Sequence, residues 1–186
     1  MMRHSKYFND YDTLITLYTA LVRSRLEYAS VIWSPTTDFL CKNIERVQAN
    51  FARLLFFKLN GFYPAYPCAI SYKLLRESMC MDSLKHRRIK FNLLFIYNLV
   101  NNIINIPDFI EKISLRVPTS RLRNRRVMSI RNRDTDCFAL PSASLLYLHS
   151  PLMLSMALFN QFSLQLDLSD NIGTFRHMCA LVIAQD

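Results

Sequence analysis

Apolar residues recur at spacings of three and four along most of this chain, a rhythm that predicts helices. Over residues 11–33, Leu14, Leu17, Tyr18, Leu21, Tyr28 and Ile32 keep the helical period, with Arg23, Arg25 and Glu27 among them. Ser34-Pro35 ends this element, because proline disfavours helical geometry in the residue before it. A second helix is predicted over 38–57, where Leu40, Ile44, Val47, Phe51 and Leu54 make a stripe and Lys42, Glu45, Arg46, Gln48 and Arg53 lie off it. A short proline turn joins the two into an antiparallel hairpin, with Tyr28 and Trp33 expected to pack it. Asn60-Gly61, Pro64 and Pro67 mark a loop over 58–67, followed by a short helix over 68–77. Asp82 or Ser83 can cap a longer helix reaching residue 102. It opens on the charged run Lys85-His86-Arg87-Arg88, and its apolar part over 91–100 should be the best buried. Pro107 suits the first turn of a short helix ending at Ile113. Two more helices are predicted over 151–162 and 171–183, the latter burying Phe175, Met178, Cys179 and Val182.

The pattern changes over 116–133, where Arg116, Arg121, Arg123, Arg125, Arg126, Arg131 and Arg133 occur with no intervening acid and no helical period. Val117, Val127, Met128 and Ile130 permit one short strand there, and the rest reads as loop. The expected fold is all-α: an antiparallel helical hairpin plus further packed helices, an irregular Arg-rich segment, and loosely packed C-terminal helices. The organisation follows as an N-terminal tail (1–10), a helical domain (11–115), the Arg-rich loop (116–136) and a helical extension (137–186). No internal repeat is visible.

Composition narrows the function classes. The two glycines, Gly61 and Gly173, cannot build a phosphate-cradling loop, and no G-x-S-x-G nucleophile motif occurs. A net charge of +9 suggests a polyanionic partner, most plausibly nucleic acid, against the plainer reading of a merely basic protein. The five cysteines are odd in number and scattered, and the polar opening MMRHSKYFND is no secretory signal. An intracellular setting, cytoplasm or nucleus, with free and mostly buried thiols is expected. Residues 137–166 carry no charge, but Pro141, Pro151, His149, Asn160 and Gln161 argue against a membrane span. Asp10-x-Asp12 and Asp134-x-Asp136 have a spacing that could hold a metal, although Arg131 and Arg133 favour charge compensation at Asp134. Cys68, Cys80 and His86, or His177 with Cys179, lack the close pairing of zinc ligands. No metal or cofactor is expected.

Four collinear stretches carry a resemblance. LYTALVRSRLEYASVIWSP (17–35) resembles the LY-x-x-LVRS-x-LEYAS-x-x-W-x-P block that follows the palm in reverse transcriptases of jockey-like non-LTR retrotransposons. IERVQANFARLLFFK (44–58) is similar to that family's IERVQ-x-x-F-x-R block. LKHRRIKFNLLFIYNLVNNIINIPDFIEKISLRVP (84–118) resembles a block with paired arginines, F-x-Y-K-L-x-N-G and a closing VP. HSPLMLSMALFNQF (149–162) is similar to a late block that usually reads S-P-x-x-R-x-x-x-L-Y-N. The departures are Asn98 for lysine, Asn102 for glycine, Leu154-Ser155 near an expected arginine, and Phe159 for tyrosine or tryptophan.

The resemblance implies the thumb-side, C-terminal region of an RNA-directed DNA polymerase from a mobile element. Polymerisation in that family needs palm carboxylates holding two divalent ions. No Asp-Asp pair occurs in this chain, and the finger, palm and endonuclease blocks are absent. A truncated fragment, not catalytic by itself, is therefore expected, its partners being the missing palm and an RNA or DNA duplex gripped through backbone phosphates. Arg23 and Arg25, with Lys42 and Arg46 on the next helix, could line the primer-template side. The seven arginines over 116–133 are the remaining candidates, since arginine binds phosphate in a bidentate way. The alternative is a host-recruited helical protein-interaction module with no nucleic-acid role.

Overall fold

Asp10 starts the first helix by accepting hydrogen bonds from the Thr13 backbone N–H at 2.9 Å and the Thr13 hydroxyl at 2.6 Å, which satisfies a donor that a helix N-terminus leaves unpaired. The computed structural model describes residues 10–63, 71–116, 136–142 and 144–184, and the regular elements among them are helices. The all-α expectation holds for these residues. Helix α1 (Tyr11–Tyr18) runs into a π-helical turn (Thr19–Arg23), then α2 (Ser24–Glu27) and α3 (Ser30–Trp33).

The unbroken helix expected over 11–33 is therefore corrected. A π turn inserts one residue and rotates the following face by about 100°. Leu14 and Tyr18, before the turn, are buried, whereas Leu21 within it and Tyr28 and Ile32 after it are exposed. Ala29 then breaks the helix in the left-handed region at φ 50. Trp33 stitches the break by donating its ring N–H to the Tyr28 carbonyl at 2.6 Å. Tyr28 is 80% exposed and Trp33 39%, so neither packs the hairpin as the pattern suggested.

Helix α4 (Asp38–Asn60) runs past the predicted end at 57 and stops at Gly61, whose φ of 77 only glycine adopts freely. Its buried face is Gln48, Ala49, Phe51, Ala52 and Leu55, while Leu40 and Val47 of the predicted stripe are exposed. The two alanines permit close approach of the neighbouring helix, and Gln48 is accommodated because both ends of its amide are bonded. Helix α5 (Tyr72–Ser78) is capped by Ser71, and α6 (Leu84–Val100) by Ser83 rather than Asp82: the Ser83 hydroxyl accepts from the His86 N–H at 3.0 Å.

Two compact units divide between Arg88 and Ile89, within α6. The first is built on Leu14, Tyr18, Phe51, Ala52, Leu55 and Leu75, with the Tyr18 ring stacked on Phe51 at 4.0 Å. The second combines the rest of α6 with α7 (Pro107–Ile110), α8 (Leu145–Leu148), α9 (Pro151–Phe162) and α10 (Ile172–Ala184). No residue over 91–99 is exposed, in line with the apolar pattern there. The C-terminal helices pack more closely than expected: Met153, Met156, Phe159, Phe175 and Cys179 are all buried in this core. Burial pushes the Cys179 thiol up to about 11. Among the four described cysteines, however, only Cys179 is buried, Cys41 and Cys137 being half-buried and Cys80 exposed.

Asn102 explains one departure from the resembled block. It closes α6 with a left-handed φ of 54, where the block has glycine, and asparagine is among the non-glycine residues that best tolerate this conformation. Asn160, which ends the late block, brackets Phe138: its Oδ1 accepts from the Phe138 N–H at 2.9 Å and its Nδ2 donates to the Phe138 carbonyl at 2.8 Å. Asn160→Ala should strip both bonds from a buried backbone, costing about 2 kcal/mol. Loss of amide-exchange protection at Phe138 would report it, and unchanged protection would refute the clamp. The Arg-rich stretch beyond Arg116, the strand allowed at Val117, Val127, Met128 and Ile130, and Pro64, Pro67, Cys68 and Asp134 lie outside the described residues. Among the described residues no helix is long and apolar enough to cross a membrane.

Candidate functional site

The polar residues of the first unit that sequence could not pair turn out to pair across helices. Tyr18 donates its hydroxyl to Gln48 Oε1 at 3.2 Å, and Gln48 Nε2 donates to the Asp82 carbonyl at 2.8 Å. Glu45 Oε1 accepts from the Tyr72 hydroxyl at 2.7 Å and from the Leu84 N–H at 3.2 Å. Glu27 holds Arg87 in a two-point ion pair, Nε to Oε1 and Nη2 to Oε2, the latter at 2.9 Å. Arg23 is a looser partner of the same carboxylate at 3.9 Å. The same-face pairing of Arg23 with Glu27 is thus present, but Arg87, sixty positions away, is the closer partner.

Burial and electrostatics follow this wiring. The Tyr18 phenol is raised well above its ordinary value, chiefly by burial. Tyr72 is raised likewise, first by burial and then by its bond to Glu45. The bond to Glu27 raises Arg87, against the opposing effect of burial. These groups act as structural donors and cations at physiological pH.

The predicted contact residues separate into distinct situations. Arg25, Lys42 and Arg46 are exposed, while Arg23 is half-buried and directed at Glu27. Arg116 lies 3.4 Å from Asp136, a carboxylate of the pair read as a possible metal motif. Arg121, Arg123, Arg125, Arg126, Arg131 and Arg133 lie outside the described residues. No group of three or more His, Cys, Asp or Glu side chains suited to a metal occurs among the described residues.

Lys42 belongs to a feature that sequence reading missed. Helices α4 and α5 and the start of α6 enclose a cleft of about 350 Å³, lined by Lys42, Glu45, Tyr72, Lys73, Arg76 and His86, with Asp38, Cys41, Ser83 and Lys85 completing it. The available signal was faint: Lys73 and Arg76 stand three apart on one helix, and Lys85-His86 open the next. His86 is lowered, first by burial and then by Arg76, with Asp82 and Glu45 opposing and Lys85 adding to the lowering. Fold and cleft together describe an all-α protein with a mostly apolar cleft bordered by basic residues. Compared with protein families, with curated proteins and with solved structures, the chain matches none.

Proposed function

We propose that this chain is a thumb-side, post-palm part of a non-LTR retrotransposon reverse transcriptase that helps hold an RNA/DNA primer-template through its backbone phosphates. The observation that carries the reading is the partnering of the motif residues. Tyr18 and Glu27 come from the LY…LEYAS block, Gln48 from IERVQ and Arg87 from the paired arginines, and these residues bond one another across helices. Blocks wired together in this way behave as parts of one inherited element. The left-handed Asn102 at the block's glycine position supports the same reading.

On this reading the chemistry belongs to palm carboxylates, and this part, not catalytic alone, contributes grip. The exposed Tyr28, Ile32, Phe39 and Leu40 are then the surface that the polymerase core covers. The same side chains favour the second reading, a recruited protein-interaction module. Arg25 and Arg46 discriminate between the two, being exposed cations without a described ion-pair partner. Replacing both by alanine should weaken binding of the intact chain to primed RNA/DNA duplexes by a similar factor for every sequence. Each lost phosphate contact should also reduce the salt slope by about one. Unchanged affinity and slope would remove these residues from the interface and favour the interaction module.

A further inference from the structure

The C-terminal end of α4 carries two phenylalanines that turn to different sides of the helix. Phe56 packs against the core of the first unit, whereas Phe57 follows Arg46, Asn50 and Arg53 along the polar side. Steps of four, three and four residues keep these last four side chains within an arc of about 60°. The buried Phe51 and Leu55 lie on the opposite side. Gly61 then reverses the chain, its φ of 77 closing the helix with a bond from its N–H to the Phe57 carbonyl at 2.8 Å. The reversal lays Phe62 edge-on against Phe56 at 5.6 Å. It also stacks the Tyr63 ring on Phe57 at 4.3 Å, with an interplanar angle of 9°.

One face of the Tyr63 ring is thus covered, yet the residue remains 58% exposed, so its other face is open. A flat ring supported from behind suits another flat π system. The cation on the same stripe specifies the charge of that partner. Arg53 lies one helical turn from Phe57, about 6 Å along the axis. Its guanidinium meets the neutral Asn50 Oδ1 at 3.4 Å and pairs with no carboxylate among the described residues. An open ring face beside an uncompensated guanidinium matches a nucleobase joined to its phosphate. We infer that Tyr63, backed by Phe57, is a stacking platform for an unpaired base, with Arg53 holding that nucleotide's phosphate.

A base inside a duplex is stacked on both sides and offers no free face, so the occupant is a single-stranded extension beside the gripped duplex. The platform rests on the nucleic-acid reading above and extends it, since Arg46 of the proposed grip begins the same stripe. The grip follows phosphates, whereas the platform detects an unpaired base of any identity. The two contacts leave different marks. Stacking removes ring faces from water and releases no counterions, so it adds affinity without steepening the salt dependence. The Arg53 contact does steepen it, by about 0.7 for a single strand.

The test compares the intact chain on a blunt RNA/DNA duplex, on the same duplex with a short single-stranded extension, and on the single strand alone. The extension should tighten binding about tenfold, whatever its sequence. Tyr63→Ala should remove that gain while leaving blunt-duplex affinity and the salt slope unchanged, and Tyr63→Phe should keep it. Arg53→Ala should lower the slope on the extended duplex by about 0.7. A base on the open face should also move the Tyr63 ring resonances upfield. No gain from the extension, no change with Tyr63→Ala, or an equal loss on all three probes would each overturn the platform. Salt-dependent binding of the blunt duplex would leave the grip standing in each of those cases. Binding of the single strand that depends on Tyr63, with none of the blunt duplex, would remove the grip and keep the platform.

Discussion

Phe159→Ala is expected to destabilise the second unit by about 3–5 kcal/mol, the usual range for removing a buried aromatic ring. Phe159 is 2% exposed and meets the Phe138 ring edge-on at 5.3 Å. Its loss removes an aromatic contact and leaves a void that α9 cannot close, because Asn160, the next residue, is tied to the Phe138 backbone. Urea denaturation followed by amide exchange in α9 and α10 would measure the effect. A cost below about 1 kcal/mol would mean that this core repacks freely. The hydroxyl of the tyrosine common at this position in the resembled block would need a hydrogen-bond partner in a buried setting. Phenylalanine removes that requirement.

The second large effect is expected at Glu27. Glu27→Ala removes the carboxylate that Arg87 grips at two points and Arg23 at one. Deleting one member of a fully buried pair costs about 3–5 kcal/mol. Here the Arg87 side chain is 27% exposed and recovers some hydration, so about 2–3 kcal/mol is expected. The double variant Glu27→Ala/Arg87→Ala should recover part of that loss in a double-mutant cycle. Strict additivity of the two single changes would show that the pair contributes no coupling.

How far the fold was legible depended on what fixed each element locally. Helices α6, α9 and α10 follow from apolar period and local caps, with Ser83 before α6 and Pro151 opening α9. The break at Ala29 has no such signal: neither glycine nor proline marks it, and it is held by Trp33 reaching back to a carbonyl. The π turn was equally hidden: Leu21 within it is exposed, and so are Tyr28 and Ile32, which flank the break at Ala29. On α4, apolar periodicity drew attention to Leu40 and Val47, whereas the buried contacts use alanines and a glutamine satisfied from outside the helix.

The candidate site divides in the same way. Arg25, Lys42 and Arg46 were legible as polar positions off an apolar stripe, and they are exposed. The cleft was not legible, because Lys42, Lys73, Arg76 and Lys85 come from three helices and share no motif spacing. Glu45 accepts from Tyr72 and Leu84 on two other elements, which no sequence pattern reveals. Gln48, Tyr72 and Arg87 were missed for a related reason, since each finds its partner 27 to 60 positions away.

The central claim, that the chain grips nucleic acid through backbone phosphates, is tested most directly by its affinity for a primed RNA/DNA duplex across a salt series. Release of counterions makes log K fall linearly with log salt, by about 0.9 per neutralised phosphate on duplex DNA. With Arg25, Lys42 and Arg46 exposed on the first unit, a slope of about −3 or steeper is expected. A slope near zero, or no binding at low salt, would contradict the account.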